Sequence, residues 1–176
     1  MDLLVYPHDG HWLAEVAGKR FRCAIGHGGV KPAEEKREGD GATPLGRWPL
    51  RHLLYRPDRG GPPQTALKVS PIEQTDGWCD DPASKDYNRP VKLPFPFSHE
   101  KLWRDDGLYD LLVVLGHNDS PPVPGLGSAI FLHCAGPNLE PTEGCVALPR
   151  RDLEEVLELL DPEGAVVVTA TPRDIG

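Results

Sequence analysis

The sequence predicts a mostly β fold, a sandwich or flattened barrel of short strands with one principal helix and long ordered loops. Three observations carry this prediction. Apolar runs of strand length recur along the chain, several of them alternating with polar residues. Prolines number 20 and glycines 19 in 176 residues, a density that shortens regular elements and favours turns. Only the segment at about 150–160 spaces its apolar residues for a helix. The length suggests one domain, taken as residues 1–176, and 39% hydrophobic residues supply a normal core.

In chain order, "DLLVYP" at 2–7 and "HWLAEVA" at 11–17 read as strands joined by the turn signal "HDG". "KRFRCAIG" at 19–26 continues as a third strand, with Phe21, Cys23 and Ile25 on its apolar face. "GRWPLRHLLYRP" at 46–57 reads as extended, with Pro49 indicating an edge or a bend. Residues 57–98 are the least regular part, and the embedded Trp78, Tyr87, Phe95 and Phe97 predict a packed rather than a loose loop. "SHEKLWRDD" is expected to form a helical turn capped by Ser98. "LYDLLVVLG" at 108–116 and "SAIFLHC" at 128–134 are apolar enough for central strands, and "GCVALP" is another short one. In "RRDLEEVLELL", Leu153, Val156, Leu157 and Leu160 form one stripe, with Pro149 in the first turn. "AVVVTA" at 165–170 closes the set as a strand.

The formal net charge of −8 argues against nucleic acid and anionic membrane surfaces as partners. No apolar stretch is long enough to span a bilayer. The start, "MDLLVYPHDGHW", lacks the basic and apolar regions of a signal peptide. The four cysteines, Cys23, Cys79, Cys134 and Cys145, form no CxxC pair. Asp76, Asp80, Asp81 and Asp86 do not have the spacing of a calcium loop and are better explained as turn formers.

The chemistry centres on Cys145. It follows Gly144 directly, at the junction of the polar loop "PNLEPTE" and a strand. A glycine there leaves room beside the thiol and permits backbone angles closed to other residues. A free cysteine is most often a buried small hydrophobe. A nucleophile needs a base as well, and His133 ends a strand twelve positions upstream. If loop 135–143 turns back, the imidazole and the thiol come side by side. Cys134 follows His133 within a strand, so the two point to opposite faces, which disfavours a zinc site built from His117, His133, Cys134 and Cys145. No cofactor and no metal is called for.

"AIFLHCAGPNLEPTEGCVAL" resembles the active-site segment of the L,D-transpeptidase catalytic-domain family (YkuD-like), in which a histidine ends a strand and S/T-x-G-C opens the next. Thr142, Glu143, Gly144 and Cys145 match that tetrad, and "EGDGATPLGRWPL" resembles the family's G-x-x-TP-x-G segment through Gly41, Thr43, Pro44 and Gly46. The resemblance implies a β-sandwich-like domain that acts on peptidoglycan stem peptides. Cys145 would attack a diamino-acid carbonyl to form a thioester, with His133 as the base. The backbone amides around Gly144 and Cys145 would hold the oxyanion, and an amine of a neighbouring stem would resolve the thioester into a cross-link. It also implies acylation by carbapenems and a role in cell-wall biogenesis and cell shape. Two departures stand out: Ala147 replaces an arginine common in the family, and the His-to-Cys loop is shorter.

Substrate contacts are expected from Thr142, from His117 after a strand in "VVLGHND", and from Arg104, which also has Asp105 and Asp106 as ion-pair partners. Tyr87, Asn88 and Arg89 are expected to form a cleft wall, with Trp78 anchoring their loop. Hydrolysis by an L,D-carboxypeptidase or endopeptidase is the alternative within the same family. A non-catalytic peptidoglycan-binding module is the alternative outside it, although such a module has no use for an intact Cys–His pair. Peptidoglycan lies outside the cytoplasm, so the expected location is the periplasm or cell envelope if an export signal is missing from this chain, and otherwise the cytoplasm.

Overall fold

The computed structural model describes residues 1–173. Three antiparallel strands open the chain, β1 (Leu3–His8), β2 (His11–Val16) and β3 (Lys19–Cys23). Asp9 and Gly10 both take positive φ in the first hairpin turn, as the "HDG" signal requires. A short β4 (Val30–Pro32) and a 3-10 turn (Ala33–Glu35) lead to β5 (Thr43–Tyr55), the longest strand at 13 residues.

β5 is the spine of the fold. Its first three residues pair with β4, and its Gly46–Pro49 stretch pairs with β13 (Ala165–Val168). Its second half pairs with β6 (Val69–Pro71) and with β10 (Leu111–Leu115). Pro49 therefore lies inside the sheet, where it marks a bend. The β5–β10 register shifts between Val114 and Leu115, and Gly116 N–H donates to the Pro49 carbonyl at 2.8 Å. Beyond β10 come β11 (Phe131–Cys134) and, parallel to it, β12 (Val146–Leu148). The strand order is β12-β11-β10-β5-β13-β1-β2-β3. Ala24, just after β3, exchanges two backbone hydrogen bonds with Ala147 of β12 at 2.8 and 2.9 Å. The two ends of the sheet thus meet, so the expected mostly β, sandwich-like domain closes on itself as a flattened barrel.

Helix α1 (Arg150–Leu159) follows β12 at Pro149, which sits at the N-cap rather than within the first turn. Its stripe of Leu153, Val156 and Leu157 is fully buried in the main core with Leu3, Val5, Leu53, Val113, Leu132 and Val166. Each such side chain contributes about 1.5–3 kcal/mol through burial. This helix is too short to cross a membrane, and no other helix among the described residues could do so.

A second apolar layer lies on the other face of β10–β11. Leu112, Phe131 and Cys145 are covered there by Ile72, Trp78, Leu102 and Tyr109. Trp78 comes from a three-stranded sheet in the order β8 (Pro90–Lys92), β7 (Asp76–Cys79), β9 (His99–Lys101), and Leu102 directly follows β9. The irregular 57–98 segment thus contains real strands. Residues 99–101, expected as a helical turn after Ser98, are instead β9, because cross-strand hydrogen bonds to β7 satisfy their backbone. β10 and β11 are buried on both faces, which explains their continuous apolar sequence.

Leu153→Ala tests the helix's place in the core. It is expected to cost about 2–5 kcal/mol, measured as a lower denaturant midpoint with an unchanged slope.

Candidate active site

The loop before β12 is held in a close-packed corner. Gly144 has φ +138°, and an added Cβ would meet the Ala42 carbonyl oxygen at 2.9 Å. Gly26 is equally confined, since a Cβ there would lie 2.1 Å from the Gly41 carbonyl oxygen and 3.0 Å from Gly144 Cα. Thr43 sits between these loops with 1% exposure. Its hydroxyl accepts from Gly26 N–H at 2.9 Å and donates to the Gly144 carbonyl at 2.8 Å. Thr142 and residues 25–27 add two backbone hydrogen bonds, at 2.8 and 2.9 Å. The two sequence motifs, a hundred residues apart, thus form one structure that sets the position of Cys145.

The β11–β12 register pairs His133 with Ala147 and Leu132 with Val146. Cys145 therefore lies beside Phe131, whose N–H points at Sγ at 3.3 Å. His133 and Cys145 share a face, one strand apart and two residues along, so their backbones stand about 8 Å apart by strand spacing and rise. Both open into one cavity of about 340 Å³. Cys134 lies on the opposite face, in the main core, as strand parity predicts.

His133 Nδ1 lies 2.8 Å from the Cys134 carbonyl oxygen. A carbonyl only accepts, so Nδ1 carries the proton and Nε2 is left as the basic nitrogen. Burial lowers the His133 pKa to about 4, partly opposed by the Cys134 carbonyl and helped by the Arg104 charge. Burial pushes the Cys145 thiol up to about 12, with the Glu100 charge acting in the same direction. The resting pair is therefore neutral, thiol and imidazole. The thiol donates to the Ala129 carbonyl at 3.2 Å, and no hydrogen bond joins it to His133. The two side chains face one cavity from adjacent strands, each bonded to a backbone carbonyl rather than to the other.

Ala129, with φ +54°, is held by Asn88 Oδ1, which accepts from Ala129 N–H and from Trp78 Nε1–H, both at 3.0 Å. Asn88 Nδ2–H in turn donates to the carbonyls of His117 and Asn118. Trp78 anchors the segment as expected, its ring meeting Phe131 edge-on at 5.2 Å.

Several expected contacts are corrected. Tyr87, Asn88 and Arg89 are not a cleft wall. Tyr87 and Asn88 are buried as supports, and Arg89 points to solvent. Tyr87 acts at one remove, donating to Glu38, which does line the cavity. His117 is buried against the Trp48 ring at 4.8 Å, outside the cleft, and its Nδ1 has no partner among the described residues. Burial lowers its pKa to about 4. Thr142 lines the cleft, but its hydroxyl is committed to the turn. It donates to the Cys145 carbonyl at 2.6 Å and accepts from Gly144 N–H at 3.1 Å. The Gly144 amide is thereby engaged, and of the two expected oxyanion donors the Cys145 amide is the one without a partner among the described residues. Arg104 does line the cleft, ion-paired with Asp106 at 2.6 Å and 5.0 Å from the Tyr109 ring centroid.

Sequence reasoning missed Lys36, Glu38, Glu100, Tyr109 and Ser128, all of which line the cavity. They come from four separate segments, with only Lys36 and Glu38 sharing a loop, so no spacing in the chain could have collected them. Glu100 alone had a usable signal, the alternation of "HEK" once that stretch is recognised as a strand.

The family model of the L,D-transpeptidase catalytic domain matches residues 3–168. The chain belongs to that family. No curated protein and no solved structure gives a significant match. Within this family's domain, Ala147 occupies the cleft position beside His133. The nearest guanidinium in the cavity comes instead from Arg104, on a different segment.

The Thr43 bridge makes a direct prediction. Thr43→Val leaves two buried backbone groups unpaired and is expected to cost about 2–4 kcal/mol. Thr43→Ser, which keeps the hydroxyl, is expected to restore most of that stability in the same thermal or denaturant melt.

Proposed function

We propose that this L,D-transpeptidase-family domain is a cysteine acyltransferase that cross-links peptidoglycan stem peptides through a thioester on Cys145. The observation that carries the reading is the placement of Cys145 and His133 on one face of adjacent parallel strands, opening into a shared cleft. The fixed tautomer supports it, because Nδ1 is tied to a carbonyl and Nε2 is left as the base.

The chemistry follows from the resting state. A donor stem peptide entering the cleft displaces water and brings its carbonyl to Sγ. Nε2 of His133 takes the thiol proton as sulfur attacks, so the ion pair that burial opposes exists only briefly. The Cys145 N–H stabilises the oxyanion. The imidazolium then gives its proton to the departing amine, leaving the thioester and a neutral histidine. An amine from a second stem attacks the thioester, His133 takes a proton, and the thiolate recovers it. Because the substrate is peptidoglycan, the proposed place of action is the cell envelope.

Two measurements test this reading. With purified disaccharide-tetrapeptide, wild type is expected to yield cross-linked dimers by mass. Cys145→Ala is expected to yield none, and His133→Ala to lose about two to four orders of magnitude in rate. Trimmed monomers in place of dimers would identify a hydrolase. The second measurement is alkylation of Cys145 by iodoacetamide. With the thiol pKa raised to about 12, the thiolate fraction grows with pH throughout the neutral range. The labelling rate should therefore rise about tenfold per pH unit from pH 7 to 9, and a plateau below pH 8 would mean a preformed thiolate.

A further inference from the structure

Five carboxylates line the cleft, Glu38, Asp80, Glu100, Glu140 and Glu143, against two fixed cations, Lys36 and Arg104. Both cations already have carboxylate partners outside that set, Asp40 and Asp106. The cavity therefore favours a cationic ligand group. Among the carboxylates, Glu100 has a distinct setting. The Tyr109 hydroxyl donates to Glu100 Oε2 at 2.7 Å, while Oε1 accepts no hydrogen bond among the described residues. The same Tyr109 ring meets the His133 ring edge-on at 5.2 Å. Tyr109 thus links Glu100 to the base within the cavity that also holds Cys145.

We propose that Glu100 receives the ammonium group of the acceptor and takes its first proton during aminolysis of the acyl-enzyme, so that the cleft selects an amine-bearing acceptor. This rests on the acyl-enzyme reading above. The proton count requires a second acceptor besides His133. An acceptor arrives as R–NH3⁺ and leaves as an amide N–H, so two protons must be removed. The Glu100 carboxylate takes the first, generating the free amine. The amine forms a C–N bond at the thioester carbonyl as the C–S bond breaks. His133 Nε2 takes the second proton and returns it to the Cys145 thiolate, and Glu100 releases its proton to water.

The surroundings suit that role. Burial raises the proton affinity of Glu100, the Tyr109 hydroxyl bond lowers it, Asp80 and Glu38 raise it, and Arg104 lowers it. The net effect is upward, which brings the carboxylate closer to the proton affinity of an amine. Arg104 does not neutralise it, since its Nε and Nη2 both bond Asp106, at 3.1 and 2.6 Å.

Glu100→Gln keeps the shape and an oxygen for Tyr109 while removing the charge. With disaccharide-tetrapeptide as donor and Nα-acetyl-lysine amide as acceptor probe, thioester formation by intact mass is expected to equal or exceed wild type, because the Glu100 charge that raises the Cys145 thiol is gone. Transfer to the amine is expected to fall about tenfold or more at pH 7, with the gap narrowing as pH rises and free amine accumulates. Unchanged transfer, or thioester formation falling in parallel with transfer, would overturn the proposal. A second measurement separates it from the acyl-enzyme reading. In the Cys145→Ala background, Glu100→Gln is expected to weaken binding of the same amine about fivefold or more in an NMR titration. Equal binding would refute the role of Glu100. Glu100-dependent binding alongside a wild type that forms no thioester would refute the acyl-enzyme alone.

Discussion

The hydroxyl of Thr43 is the contact on which the site depends. It bridges Gly26 N–H and the Gly144 carbonyl in a corner where three glycines approach too closely for any side chain. A buried hydroxyl with both a donor and an acceptor satisfied is stable, and one with either missing costs as much as a lost core contact. This bridge ties the start of β5, the spine of the sheet, to the loop that carries Cys145. The closure of the barrel at Ala24 and Ala147 depends on the same corner, because residues 24–27 run alongside it.

A second constraint is the double burial of β10 and β11. One face packs on the main core with α1, the other under the small sheet. Burial beneath this cover pushes the Cys145 thiol up and the His133 imidazole down, which makes both neutral at rest. Under the proposed function, reaction then requires a substrate that brings the two groups into a shared hydrogen bond. The carboxylate-rich lining adds a further condition, since it favours ammonium groups and disfavours additional anions.

Much of the fold could be read in the chain. The alternation of Phe21, Cys23 and Ile25, the "HDG" turn and the stripe from Leu153 to Leu160 are local patterns tied to one geometry each. Cys145 and His133 were legible for a similar reason: Gly-Cys at a strand mouth and a histidine at a strand end have few other uses together. Residues 99–101 were misread because a three-residue strand has too little pattern of its own and owes its form to β7. Tyr87, Asn88 and His117 were misplaced because polar residues in a loop look alike whether they bind a ligand or satisfy buried backbone groups.

By itself, the sequence determined most of the long strands, the single helix, the family, and Cys145 with His133 as the candidate pair, because each is encoded by short-range periodicity or by a compact motif. Tertiary structure alone decided that the sheet closes into a flattened barrel and that Thr43 clamps Gly144. It also decided that the Cys145 thiol rests neutral against the Ala129 carbonyl, and that Glu100 and Tyr109 share a cavity with Cys145 and His133. Those features depend on burial and on contacts between segments tens of residues apart, and neither leaves a regular trace along the chain.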